Sequence, residues 1–359
     1  MVSVYERRYE IMAKINKYWG FVAVGAVAAS AAGAIAALVL KKDSLDDFDD
    51  FDDEFEDETE EDEATETEEK KETQSEVQQT GSEQTQSSVT AASDGVVKGK
   101  VIKKYISPYS APLSYDGAYM KNNTDLAVDI KSFIDAPLSF KISKNDQPQV
   151  LIMHTHTTES YMKTDSDVYT DAHNARTLEE NMNMVRIGDI VAEKLNEAGI
   201  KTLHDKTRHD YPEYTGSYSR AAKTICSYTE KYKSIKIVLD LHRDAVSSGE
   251  SDRVKLVTEI NGKPAAQVML VMGSQSGSVT NFPNWQENLK LALKLQQTFE
   301  KMYPTLARPL SLMSKNYNES LTNGSLLIEF GTDVNSIDEA TYSAEMVGNA
   351  IADLLNRLT

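Results

Sequence analysis

The chain has 359 residues, 26% of them charged, and a formal net charge of −18. Between Asp43 and Glu72 there are 19 Asp or Glu against two lysines, so nearly the whole imbalance sits in one block. No basic stripe of the kind that phosphate neutralisation requires is present, which argues against nucleic acid as a partner. The single cysteine, Cys226, rules out an internal disulfide and leaves the compartment open.

In chain order, residues 1–17 carry Arg7, Arg8, Lys14 and Lys17, and Tyr18 to Leu40 carries no charge. At about 1.5 Å per residue a helix of that length spans roughly 34 Å, enough for a hydrocarbon core of about 30 Å. The segment 18–40 therefore reads as a transmembrane helix, with the N-terminus cytoplasmic and everything after it exported. Ala28 to Gly33 would also suit a signal peptidase, but the apolar stretch is long for a cleaved signal and an uncleaved anchor is expected. Residues 41–93 are acidic and then Ser/Thr/Gln-rich with almost nothing to bury, which predicts a disordered tether. Only 94–359 has the composition of a folded domain.

Within that domain, Val96 to Ile142 is a lead-in whose strands the pattern does not place. Val150 to Met153 is a short apolar run after Pro148, a buried strand that empties into His154, His156 and Glu159. Met184, Ile187, Val191 and Leu195 recur at helical spacing and stop at Gly199, and Ile200 to Leu203 returns to a strand pattern. Ala221 to Tyr232 reads as a helix feeding a second buried strand, Ile235 to Leu241, which ends in His242, Arg243 and Asp244. Asn261-Gly262 between the alternating runs Arg253–Ile260 and Ala265–Met272 signals a hairpin. Asn288–Met302 is an amphipathic helix, Ser325–Ile328 a third strand delivering Glu329, and Ala340–Leu358 a closing helix. Alternating strands and helices predict an α/β sandwich, with a mostly parallel central sheet flanked by helices.

Three buried strands each release an imidazole or a carboxylate at the carboxyl end, where open α/β sheets bind ligands. Zinc suits such donors, because a catalytic zinc ion keeps three ligands from His, Asp or Glu and leaves one position open for a water of pKa about 7. His242 and one of His154 or His156 are the candidate nitrogen ligands, and Glu159 is the candidate carboxylate ligand. Glu329 is the candidate proton shuttle, and Arg243 a candidate oxyanion partner. His154 and His156 point to the same side of an extended strand, so either both reach one site or one of them orients a neighbour. His173, His204 and His209 suit surface or structural positions. Tyr214, Tyr218 and Arg220 suit a polar groove or a packed helix entry.

The runs HTHTTESY at 154–161, LDLHRDA at 239–245, YNES at 317–320 and LLIEFG at 326–331 together resemble the stage II sporulation protein P family of endospore-forming bacteria. The likeness starts near Tyr115, includes KNNTDLAVDI at 121–130 and runs to the C-terminus. The acidic tether is outside the family pattern, and Asn318-Glu319 stands where the family more often has Asn-Gln. The resemblance implies a zinc-dependent N-acetylmuramoyl-L-alanine amidase with endopeptidase activity, degrading septal wall during forespore engulfment. It implies as partners the sporulation proteins D, a lytic transglycosylase, and M, a membrane protein. It carries metal-binding and catalytic positions onto His154, His156, Glu159, His242 and Glu329, while related zinc amidases suggest Glu179 or Glu180 as the carboxylate ligand. The rival readings are an inert, membrane-tethered wall-binding module and a zinc carboxypeptidase drawing on Arg186, Arg243 and Arg253 for a cationic pocket.

Overall fold

The protein is described from a computed structural model over residues 95–359; the expected membrane helix at 18–40 and the linker at 41–93 lie outside the described residues. Among the described residues no helix is long and apolar enough to cross a membrane. The chain runs β1 (Val97–Lys104), β2 (Leu113–Tyr115), β3 (Ala118–Asn122), α1 (Ile130–Asp135), β4 (Val150–Met153), β5 (Val168–Thr170), α2 (Met184–Glu197), β6 (Thr202–His204) and α3 (Ser217–Lys231). It continues through β7 (Ile237–Asp244), β8 (Ser247–Ser248), β9 (Asp252–Ile260), β10 (Lys263–Ala266), β11 (Val268–Gly273), α4 (Trp285–Met302), β12 (Leu310–Met313), β13 (Ser325–Thr332) and α5 (Ile337–Asn356).

The central sheet has eight strands in the order β2-β3-β12-β11-β13-β7-β4-β6. It is mixed, which corrects the expectation of a mostly parallel sheet. One block, β13-β7-β4-β6, is parallel throughout. A second, β3-β12-β11, is also internally parallel but meets the first antiparallel at β11–β13, and β2 turns back on β3. The reversals fall where no helix separates the strands. β12 reaches β13 through a short 3-10 turn at Glu319–Leu321, and β2 reaches β3 through Asp116-Gly117, both at positive φ. Parallel neighbours need a crossover of a dozen or more residues, and these connections lack the helix that usually makes one.

A second sheet, β10-β9-β1-β5 with β8 on the side of β9, takes up part of the lead-in segment. The Asn261-Gly262 hairpin forms as expected, with both residues at positive φ. The run after it divides, however. β10 stays with β9, while β11 crosses into the central sheet after the buried Gln267, whose side chain bonds the carbonyls of Ile106 and Thr305.

Side chains alternate across the parallel block. Val150, Ile152, Ile237, Leu239, Leu241, Leu326, Ile328 and Phe330 enter the large core under α2, α4 and α5. Leu151, Met153 and Val238 face Ala221 and Ile225 of α3, while Leu327 packs near Tyr218. The period of two then fixes which face each polar strand end presents.

Candidate active site

β7 and β13 are both longer than their apolar runs suggest, so His242 and Glu329 sit inside strands and are direct register partners. Val238, Asp240 and His242 alternate onto the α3 face of β7, and Leu327 and Glu329 onto the same face of β13. Asp240 and His242 are 5% and 3% exposed. Glu329 stays partly open, although its Oε2 is buried without a hydrogen-bond partner.

The turn after β4 is pinned residue by residue, which is why a loop can hold functional groups at a fixed place. Asp240 accepts from the Thr155 N–H at 2.8 Å and from the Thr155 hydroxyl at 2.6 Å. The Thr157 hydroxyl donates to the carbonyls of His154 and Thr207, and the Thr158 hydroxyl donates to Asp210 at 2.6 Å. The turn delivers His156 to a point where its ring is 5.3 Å from that of His242, edge to face. Tyr214 lies parallel on His156 at 4.8 Å, and Tyr218 meets it edge-on at 5.7 Å. Glu159 reaches the same place: its Oε2 accepts from the Arg243 N–H at 3.1 Å and lies 3.7 Å from His242 Nδ1. Arg176 Nη2 stands 3.7 Å from Glu159 Oε1.

Three carboxylates therefore converge on His242. Burial opposes its charge, but Asp240 and then Glu159 and Glu329 outweigh burial and raise its pKa to about 10. Burial likewise opposes the ionisation of Asp240, yet His242 and the Thr155 donors bring it down to about 2. Glu329 goes the other way: burial is the main cause, Asp244 and Glu159 add to it, and its pKa rises to about 8. Burial and then the charge of His242 keep His156 neutral well below the usual imidazole range. The neutral ring of His156 is the state a metal needs in an imidazole ligand, whereas His242 has to give up its proton to bind one.

Among the described residues no three His, Cys, Asp or Glu side chains already stand at metal-holding distances from one another. The donor set nevertheless fits a zinc ion in kind and burial. His156 Nδ1 and Glu329 Oε2 are buried with no hydrogen-bond partner. His242 Nε2 lies 2.9 Å from Asp240 Oδ1, an ion-pair contact, and its Nδ1 lies 3.7 Å from Glu159 Oε2.

His154 is not in this group. Its Nδ1 is 3.0 Å from the Leu241 carbonyl and its Nε2 is 2.8 Å from His204 Nε2, so both ring nitrogens are engaged on the opposite side of β4. The extended geometry that would put His154 and His156 side by side ends at Met153, and the turn sends them apart. Arg243 is likewise corrected as an oxyanion partner. It alternates to the face opposite His242, and its guanidinium donates to the carbonyls of Ala175 and Asp244, leaving only its main-chain N–H at Glu159. Glu179 and Glu180 are exposed, and Glu180 lies 3.6 Å from Arg208.

Sequence reasoning overlooked Asp240, although its position two residues before His242 places it on the same strand face. It also overlooked Arg176 and Asp210, which pair at 2.6 Å beside Thr158. No local pattern marks those two, because they come from separate loops.

The fold and the site define an α/β protein with a buried His/Glu constellation at the carboxyl edge of its parallel block. The sequence model of the Stage II sporulation protein P family matches residues 31–352, and the chain belongs to that family. It is 32% identical over 237 residues to Stage II sporulation protein P of Bacillus subtilis (strain 168), a match covering 61% of this chain and 53% of the relative, about half its length. Among solved structures, it is similar to the N-acetylmuramoyl-L-alanine amidase AmiC2 of Nostoc punctiforme, with 13% identity, 60% of this chain and 97% of that one covered, and a TM-score of 0.35. An N-acetylmuramoyl-L-alanine amidase from Clostridium difficile 630 gives 16% identity, 59% and 97% coverage, and a TM-score of 0.35.

Proposed function

We propose that this chain is a membrane-anchored, zinc-dependent peptidoglycan hydrolase, an N-acetylmuramoyl-L-alanine amidase with endopeptidase activity on cross-links, acting on septal wall during engulfment. Membership of the sporulation family supports the setting, and the uncharged stretch 18–40 supports the anchor and an extracytoplasmic active domain. The observation that carries the chemistry is the convergence of His156, Glu159, His242 and Glu329 on one strand-end face, with buried polar atoms left unpartnered.

In this reading His156, His242 and Glu159 hold the metal. A bound zinc ion would supply Lewis acidity toward an amide carbonyl. The rest falls to the chain itself. Asp240, ionised and bonded to Thr155, orients His242 and keeps the β4 turn in register with β7. Glu329, with its pKa raised to about 8, takes a proton from the attacking water and returns it to the leaving amine. Tyr214 and Tyr218 wall the site beside His156 and exclude water from its inner side. The sporulation proteins D and M are the proposed partners, the first by supplying cut glycan and the second at the membrane.

Mass spectrometry of peptidoglycan treated with the purified full chain, with and without a chelator, tests the proposal. Stem peptides freed of glycan only in the unchelated sample are the expected result, and cut cross-links would add the endopeptidase. Products that persist after chelation would overturn the metal, and an uncut wall with zinc and both partners present would overturn the hydrolase.

A further inference from the structure

Beside the site stands a guanidinium that the reaction above does not use. Arg308, on the connection from α4 to β12, is 4% exposed, and its main-chain N–H donates to the Val268 carbonyl at 2.7 Å. Its Nη1 donates to Asp244 Oδ2 at 2.9 Å, while Nε and Nη2 have no hydrogen-bond partner among the described residues. Asp244 follows His242 by two residues on β7, and the charges of both Asp244 and Arg308 reach the Glu329 carboxyl.

The pattern of bonded and unbonded atoms is specific. The Nε and Nη2 hydrogens of arginine are parallel and spaced to meet the two oxygens of one carboxylate, the fork that makes arginine the preferred residue for such groups. Here Asp244 takes the far nitrogen and fixes the plane, leaving the whole fork edge unused. A buried donor left unpaired costs about 1–3 kcal/mol, so an edge with two of them is costly unless something binds there. Asp244 and Glu329 are both partly exposed, whereas the Arg308 edge itself is buried. Arg243, by contrast, spends two donors on carbonyls and leaves only Nε over.

We propose that the Nε–Nη2 edge of Arg308 is a carboxylate subsite that takes a carboxylate of the stem peptide on the leaving side of the cleaved amide. The proposal rests on the reading of the site as a peptidoglycan hydrolase. It makes Arg308 a specificity-determining residue: substrates whose stem carboxylate is free are held beside Glu329, and amidated ones are not.

The test is calorimetric binding of the dipeptide L-Ala-D-Glu and of its α-amide to the zinc-supplied full chain. The wild type is expected to bind the acid about tenfold or more tighter than the amide. Arg308→Gln should remove that preference, and Arg308→Lys, which keeps the charge against Asp244 but has no fork, should leave a smaller one. Equal binding of acid and amide by the wild type overturns the subsite, as does an undiminished preference in the glutamine variant. Should that variant not fold, an undiminished preference in the lysine variant does the same. A wild type that cleaves wall without any acid preference sinks the subsite alone, whereas one that prefers the acid but cuts nothing sinks the hydrolase reading alone.

Discussion

The Nε2 atoms of His154 and His204 face each other at 2.8 Å, while the two Nδ1 atoms lie 3.0 Å from the Leu241 carbonyl and from Asp189 Oδ1. The Leu241 carbonyl and the Asp189 carboxylate both accept, so each Nδ1 carries the one N–H of its neutral ring and the two Nε2 lone pairs face each other. His154 Nδ1 is spent on the Leu241 carbonyl, and its Nε2 faces His204 beside Gly188, on the side of β4 away from His242. His154→Gln is expected to lose about 1–3 kcal/mol of stability by orphaning buried partners, with hydrolysis per folded molecule largely kept. His156→Gln should do the reverse, keeping the fold and losing both zinc and activity. Urea midpoints and wall digestion on the two variants check this pair, and an inactive, zinc-free His154→Gln with unchanged stability would reinstate His154 as the ligand.

Glu329 and His242 are neighbours across β13 and β7, and burial lifts the Glu329 pKa to about 8. Glu329→Gln keeps the shape and removes the proton shuttle. The turnover rate should fall by about 10²- to 10⁴-fold, the usual contribution of a positioned acid–base group. Because the amide occupies the same place with the same unpartnered inner atom, thermal stability should stay level. A drop in melting temperature with near-normal turnover would assign Glu329 to the fold instead of the chemistry.

How much of this site the sequence discloses follows from what each signal encodes. Apolar runs locate β4, β7 and β13, and the period of two places His242 and Glu329 on one face, so those residues are legible. Strand length is not, because β7 runs on through His242, Arg243 and Asp244, where polar side chains hide the continuation. The separation of His154 from His156 depends on Asp240 and Asp210 gripping the threonines of the turn, contacts over 50 or more residues of separation that no local pattern carries. The mixed direction of the sheet is similar: it depends on which connections lack a helix, and the β12–β13 connection gives no strong sign either way. Gln267, where one alternating run splits between two sheets, reads as an ordinary strand residue until its buried amide is seen bonding two distant carbonyls.

His173 provides a pH dependence clear of the metal candidates. Burial, and then the charges of Arg253 and Arg243, lower its pKa to about 4, and its Nε2 has no partner. The unfolded chain takes up this proton near pH 6.5 and the folded one only near 4, so stability is lost as pH falls through that window. The loss is at most about 1.4 kcal/mol per pH unit, and less because the ring is partly exposed and screened. His173→Gln should flatten the fall in the urea midpoint between pH 6.5 and 4. An unchanged slope would show that other groups set the acid limit.

Gly188 lies within α2, where a helix former would ordinarily be preferred by about 1 kcal/mol. A Cβ there would stand 2.4 Å from His204 Nε2 and 2.8 Å from His154 Nε2, against the centre of the imidazole pair. Neither ring can retreat cheaply, since His204 is tied to Asp189 and His154 to the Leu241 carbonyl. Overpacking of this kind costs about 1–3 kcal/mol, so the clash should outweigh the gain in propensity. Gly188→Ala is therefore expected to be less stable than the wild type. Because Leu241 directly precedes His242, a shift of the His154 ring would be passed to the neighbouring strand end, and activity should fall with stability. If chemical denaturation instead finds Gly188→Ala more stable, the pair has room to move, and the constraint that separates His154 from the site is weaker than its hydrogen bonds indicate.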